Sequence, residues 1–169
     1  MKASGRPRPT VVLVEPEIPP NTGNIARLCA ALEIPLVLVG RLGFRLDDRS
    51  LRRAGLDYWE YVDVRLAPDV AGFFAELEED RLHLFSKRAD RIYTEVNYGA
   101  QDLLVFGSET RGLPQWLFSA YPHRFRRLPI YSPHVRSINL SSAVAAVVYE
   151  VVRQLGPAGW ETRQDSRRA

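Results

Sequence analysis

Three short polar segments carry the chemistry that this sequence could perform. Gly107-Ser-Glu-Thr-Arg-Gly112 follows the apolar run Leu103-Leu-Val-Phe106, Ser137-Ile-Asn-Leu-Ser-Ser142 leads into the apolar run from Ala143, and Pro19-Pro-Asn-Thr-Gly-Asn-Ile-Ala-Arg27 lies near the start. The glycines at 107 and 112 match half of a phosphate-binding P-loop. Leu113 and Pro114 stand where Lys and Ser/Thr are required, so nucleoside triphosphate binding is not expected. No G-x-G-x-x-G follows the first strand, which removes the ordinary dinucleotide fingerprint. What remains is a backbone that approaches something closely at Gly107 and turns sharply at Gly112. Ordinary turns account for many such pairs, but Glu109 and Arg111 between them, at a strand's carboxyl end, favour a binding site. In the second segment, capping by Ser137 or Asn139 explains one or two of the polar residues and leaves the others unexplained. Exposed amides and hydroxyls at a helix N-terminus suit a carboxylate or another anion.

The elements that must hold these loops are legible as alternating strands and helices. Thr10–Glu15 and Pro35–Val39 are continuous apolar runs, as expected of buried parallel strands, and Leu82–Phe85, Leu103–Phe106 and Phe125–Tyr131 read the same way. Between the first two, Ile25, Leu28, Cys29 and Leu32 fall at helical spacing behind Asn21, a candidate N-cap, with Arg27 on the opposite side of the wheel. A basic loop, a short helix around Ser50 to Ala54 and the aromatic stretch Tyr58-Trp-Glu-Tyr61 follow, then a helix over Pro68–Glu79 and another over Pro114–Ala120. The last helix runs from about Asn139 to Leu155 and stops at Gly156-Pro157. Its apolar rows Ala143/Val147/Val151/Leu155 and Val144/Val148/Val152 make a stripe wider than one sheet contact needs. Packing against a second subunit explains that width, and so does a central helix buried within one; the dimer is preferred in a chain this short. The fold class is α/β, a mainly parallel sheet flanked by helices.

Composition sets the bounds. The chain has 169 residues, 46% hydrophobic and 25% charged, and reads as one domain over residues 10–156 between a basic N-terminal extension, 1–9, and a polar tail, 157–169. No apolar run reaches the roughly 18 residues that span a bilayer, and no signal-peptide core is present. One cysteine excludes an internal disulfide framework and three scattered histidines offer no metal cluster, so a cytoplasmic, metal-free protein is expected. The net charge of +3 is concentrated at the ends: residues 1–10 contribute +3 and residues 161–169 +1, leaving −1 in the middle. Arg41, Arg45, Arg49, Arg52 and Arg53, and the later group Arg124, Arg126 and Arg127, either contact phosphate or solubilise the surface.

Taken together, Asn21-x-Gly23-x-x-x-Arg27, Gly107-x-Glu109-x-x-Gly112 and Ser137-x-Asn139-x-Ser141 resemble the three motifs of the SPOUT superfamily of RNA methyltransferases, in its TrmH-like 2'-O-methyltransferase branch. Glu15-Pro-Glu-Ile-Pro-Pro-Asn-Thr-Gly-Asn24, Leu51-Arg-Arg-Ala-Gly-Leu-Asp-Tyr58 and Val148-Tyr-Glu150 strengthen the likeness, which runs from about Val11 to Leu155. Two departures stand out: Ser108 where Pro is common, and a segment Ile130–Arg136 one residue longer, with His134 where an acid is often seen. The resemblance implies a deep C-terminal trefoil knot and S-adenosylmethionine as methyl donor. By correspondence its contacts are Phe85, Gly107, Leu128, Ile130, Ser137 and Leu140. It further implies a homodimer with the site completed across the interface, and a catalytic set of Arg27 with Asn21, Glu109 and Asn139.

The reaction so implied is methylation of the ribose 2'-hydroxyl of the wobble nucleotide in the anticodon stem-loop of tRNA, leucine tRNAs in particular. Another RNA site, or a knotted RNA-binding protein without catalysis, are the alternatives. A guanidinium stays protonated, so Arg27 is expected to stabilise a developing alkoxide and hold a phosphate rather than act as a base. Asn21 caps the first helix, contacts RNA, or both; Glu109 and Asn139 order loops more readily than they perform chemistry. Tyr58 and Trp59 could offer stacking faces to unpaired bases, with core packing the stronger reading for Trp59.

Overall fold

The computed structural model describes residues 7–46 and 56–159. Its centre is a six-stranded, all-parallel sheet: β1 (Thr10–Val14), β2 (Leu36–Val39), β3 (Val64–Ala67), β4 (Leu82–Phe85), β5 (Leu103–Phe106) and β6 (Phe125–Arg126), in the order β3-β2-β1-β5-β4-β6. The four apolar runs are buried on both faces because helices cover each side. Alternation along β1 splits the core. Val11 and Leu13 face helices α1 (Pro19–Leu32) and α4 (Leu140–Gly159), while Val12 and Val14 face α2 (Val70–Ala75) and α3 (Trp116–Ala120). Cys29 is sealed in the first of these cores, which pushes its thiol up to about 12.

Several sequence expectations need correction. The strand expected over Phe125–Tyr131 shrinks to two residues, with Arg127 making one isolated bridge to Ile92. Pro129 has no N–H to extend the ladder. Strand β3 went unread because it is a short edge strand whose Leu66 is exposed, so it shows no continuous apolar run. The helix expected over Pro68–Glu79 is only α2. Asp69 caps it by accepting from the Ala71 N–H at 3.1 Å, and the acids Glu76, Glu78, Glu79 and Asp80 oppose its dipole beyond that. The short helix expected around Ser50 to Ala54 lies outside the described residues.

Helix α4 breaks at Gly156, in the left-handed region at φ 63°, where the sequence predicts its end. Part of its wide stripe is covered within the chain: Val144, Val147, Val148 and Val151 are fully buried in the core shared with α1. Ala143, Val152 and Leu155 of the same stripe are only partly buried. Among the described residues no helix is long and apolar enough to cross a membrane.

Candidate active site

At the carboxyl end of β1 the chain turns at Glu15 (φ 51°) and is held out of regular structure by Pro16. Pro19 and Pro20 then open α1, their fixed φ being suited to a first helical turn. Ile18 is the residue before that turn and has no side chain with which to cap it. The acceptor comes from another loop. Glu109 takes the Glu17 N–H at 2.8 Å, the Ile18 N–H at 3.1 Å and the Asn21 side-chain N–H at 3.1 Å. A carboxylate satisfies donors that a helix start otherwise leaves to water, and its charge suits the positive end of the helix. Asn21 is thus not an N-cap. It lies inside the first turn, buried, with its amide committed elsewhere.

The second half of that amide accepts from the Asn139 side chain at 2.9 Å, and the Asn139 oxygen accepts the Ser141 N–H at 2.9 Å and hydroxyl at 2.6 Å. Because the carboxylate can only accept, it fixes the direction of every bond in the series Glu109–Asn21–Asn139–Ser141. Asn139 is the residue that caps α4, as one sequence reading proposed. One hydrogen-bond chain therefore joins Asn21 to residues 88 and 118 positions away in sequence.

The Gly107–Gly112 loop closes on itself through Ser108 N–H to Gly112 O (3.2 Å) and the reverse bond (2.9 Å). A Cβ on Gly107 would fall 2.1 Å from the Gly112 carbonyl carbon, so no other residue fits, and Gly112 itself sits at φ 70°. Ser108 adds a hydroxyl that accepts the Arg111 N–H at 3.2 Å, a bond that proline could not supply. Thr110 binds Glu17 through its hydroxyl (2.6 Å) and N–H (3.1 Å), and Arg111 lies 3.5 Å from Glu17 and 3.6 Å from Glu15. The Thr110 hydroxyl, helped by its N–H and by Arg111, holds the Glu17 carboxyl below the ordinary value.

These loops surround a cavity of about 450 Å³ outside the carboxyl ends of β1, β5, β4 and β6. That is the position open α/β sheets use for ligands. Its apolar lining includes Phe85, which stacks on Phe106 (4.6 Å, 11°), and Leu128, Ile130 and Leu140. Its polar lining includes Asn21, Glu109, Ser137 and Asn139, and the Gly107 backbone also borders it. All six expected cofactor contacts and three of the four expected catalytic residues border this one space.

Arg27 does not. Six residues beyond Asn21, about 9 Å along the helix axis, it stands on the exposed side of α1 with its guanidinium 5.1 Å from the Tyr58 ring centroid. The sequence reading missed Lys87 and Arg88, which border the cavity just after β4; Arg88 lies 4.4 Å over the Phe118 ring and binds Gln115 at 2.7 Å. Their signal was available: a polar run directly after a buried strand. The later arginine group is structural. Arg124 meets Glu79 and the Asp80 carbonyl, Arg127 the Asp90 carbonyl, and Arg126, only 4% exposed, the carbonyls of His123 and Phe125. Burial, with Arg91 and Arg124 nearby, lowers the Arg126 pKa. Among the described residues no group of His, Cys, Asp and Glu could hold a metal ion.

Known proteins resemble this chain in sequence and fold. A Yersinia pestis protein named tRNA (cytidine(34)-2'-O)-methyltransferase is 46% identical over 155 residues, covering 88% of this chain and 95% of its own. A solved structure described as giving structural insights into the 2-OH methylation of C/U34 on tRNA superposes with a TM-score of 0.81 at 43% identity, over 88% of this chain and 96% of that one. The methyltransferase AviRb from Streptomyces viridochromogenes, solved in complex with AdoMet, shares the fold at 23% identity and a TM-score of 0.73, over 88% of this chain and 58% of its own. The pattern of the SpoU rRNA Methylase family runs from residue 8 to residue 149, from the approach to β1 through half of α4, and the chain belongs to that family.

Proposed function

We propose that this protein methylates the ribose 2'-hydroxyl of nucleotide 34 in tRNA, with S-adenosylmethionine as donor and leucine tRNAs as substrates. The observation that carries this reading is the convergence of the three polar loops, tied by Glu109, Asn21 and Asn139, around one cavity of cofactor size. The cavity suits an adenosine with a charged tail. Phe85, Leu128, Ile130 and Leu140 offer an apolar slot for the base, while Gly107 and Ser137 present backbone and hydroxyl to polar groups. Bound there, S-adenosylmethionine supplies an electrophilic methyl group on a sulfonium.

The chain's own residues then have three tasks. Glu109, Asn21 and Asn139 hold the loops in one arrangement, so alignment is paid in advance of the reaction. Arg27 stabilises the alkoxide that forms as the 2'-hydroxyl loses its proton to phosphate or water, since a guanidinium cannot take that proton. The basic loop that begins at Arg41 and Arg45, pinned beside the first motif by Gly43 N–H to Pro16 O (2.9 Å), meets the anticodon stem-loop.

Arg27 lies outside the cavity of its own chain, so the working unit is a homodimer in which a second copy supplies it. The loop Tyr131–Asn139 is exposed throughout and presents Tyr131 (92%), Val135 and Ile138, an apolar surface beside the cavity that suits such a contact. In this reading residues 10–156 form the catalytic unit, the terminal segments are accessory, α4 threads the trefoil knot, and the enzyme works in the cytoplasm. Mapping ribose methylation in tRNA from cells lacking the gene tests the reading: loss confined to nucleotide 34 of leucine tRNAs supports it, and unchanged tRNA overturns it.

A further inference from the structure

We propose that Tyr58 is a positioning residue for Arg27, holding its guanidinium by the face so that the N–H groups stay available. This rests on the reading above, in which Arg27 serves the reaction. Among the described residues no carboxylate pairs with Arg27; its contact is the Tyr58 ring, 5.1 Å from the guanidinium carbon to the centroid, within cation–π range. The distinction matters chemically. A carboxylate partner would occupy two N–H donors and neutralise the charge that an alkoxide or phosphate needs. An aromatic face removes rotational freedom from a long exposed side chain and leaves the in-plane donors free.

The local sequence builds this platform. Tyr58 belongs to the 3₁₀ segment Leu56–Tyr61, which packs against α1. Its neighbour Trp59 packs against the core that contains Ile25, Cys29 and the α4 valines, and the Trp59 carbonyl closes the turn by accepting the Val62 N–H at 3.3 Å. Trp59 is the anchor that fixes where Tyr58 stands. Tyr58, 39% exposed, reaches Arg27 from that anchored turn. The two adjacent aromatics thus divide: Trp59 is packed, as its sequence reading preferred, and Tyr58 serves the guanidinium.

The test is steady-state methylation of a tRNA substrate with S-adenosylmethionine by Tyr58→Phe, Tyr58→Leu, Tyr58→Met and Arg27→Ala, each checked by thermal melting. Tyr58→Met keeps bulk at the position should the leucine variant melt early. Tyr58→Phe is expected to keep kcat within twofold, while the leucine and methionine variants lose about fivefold in kcat with both KM values unchanged. A merely structural role would shift melting and both KM values together and would not be rescued by Phe. Normal kcat in the leucine and methionine variants, with Arg27→Ala inactive, overturns the Tyr58 assignment alone. A raised KM for tRNA at unchanged kcat overturns it in favour of base stacking. A normal rate for Arg27→Ala overturns the reading of Arg27, and this proposal with it.

Discussion

The two ends of the sheet each carry a polar network, and the networks are built in opposite ways. At the carboxyl end, Glu109, Asn21 and Asn139 join loops around an open cavity, and Glu109 and Asn139 remain partly or largely exposed. At the amino end the network is closed. Asp102 accepts from His83 Nε2 at 2.8 Å and from the Gly99 N–H at 2.7 Å, and the His83 ring lies 4.6 Å from that of Tyr98. The Tyr98 hydroxyl donates to the Tyr93 carbonyl, and its N–H donates to Gln154 of α4, which in turn donates to the Val96 carbonyl. His83 and Asp102 are both buried. The closed end fastens α4 to the loop before β5. The open end orients loops for something that is still to arrive. Residues of the first kind should govern stability and those of the second kind rate, although both look like hydrogen-bonded polar clusters.

That contrast can be broken by mutation. Gly107→Ala should have the largest effect, because the new Cβ meets Gly112 backbone at 2.1 Å and the loop must open. Calorimetric titration with S-adenosylmethionine should show binding weakened by more than 100-fold, an estimate of at least about 3 kcal/mol from a forced backbone shift. Asp102→Ala should act at the other end, leaving a buried imidazole and the Gly99 N–H unpaired and lowering unfolding free energy by about 2–3 kcal/mol. Its rate per folded molecule should stay at the wild-type value; a rate loss at unchanged stability would refute the division.

Glu109→Gln should cost less. It keeps shape but loses charge-assisted acceptance from two backbone N–H groups, so kcat/KM should fall about tenfold while the melting temperature moves by only a few degrees. The smallest effect belongs to Glu17. Its carboxyl is held below the ordinary value of 4.5 by the Thr110 bonds, so the tether contributes fully above that value and is lost as pH falls through the lowered one. The difference in melting temperature between wild type and Glu17→Gln should therefore be constant above pH 4.5 and shrink below it.

Much of the scaffold was legible because burial leaves a local mark. Runs such as Val11-Val-Leu-Val14 and Leu103-Leu-Val-Phe106 are apolar on both faces, and Gly156-Pro157 marks the break in α4. The motif loops could also be read, since Gly107 admits no side chain and Ser and Asn cluster before α4. What was hidden depends on distant partners. Asn21 before an apolar stripe looks like a cap until Glu109, 88 residues away, claims its amide. Arg126 looks like a surface charge until β6 turns it inward. The stripe of α4 shows how much apolar surface must be covered and not what covers it. Arg27 was correctly read as exposed, but its distance from the cavity is set by the helix axis, which no spacing argument in one segment reveals.

The sealed position of Cys29 has a practical consequence. It is the chain's one cysteine, it is fully buried, and its thiol is pushed up to about 12, so maleimides and methanethiosulfonates will pass it by. A cysteine placed at Tyr149, on the exposed side of α4, then becomes the one reactive handle per molecule. Spin labels on that handle would report separations between copies directly, with no background mutation to make first.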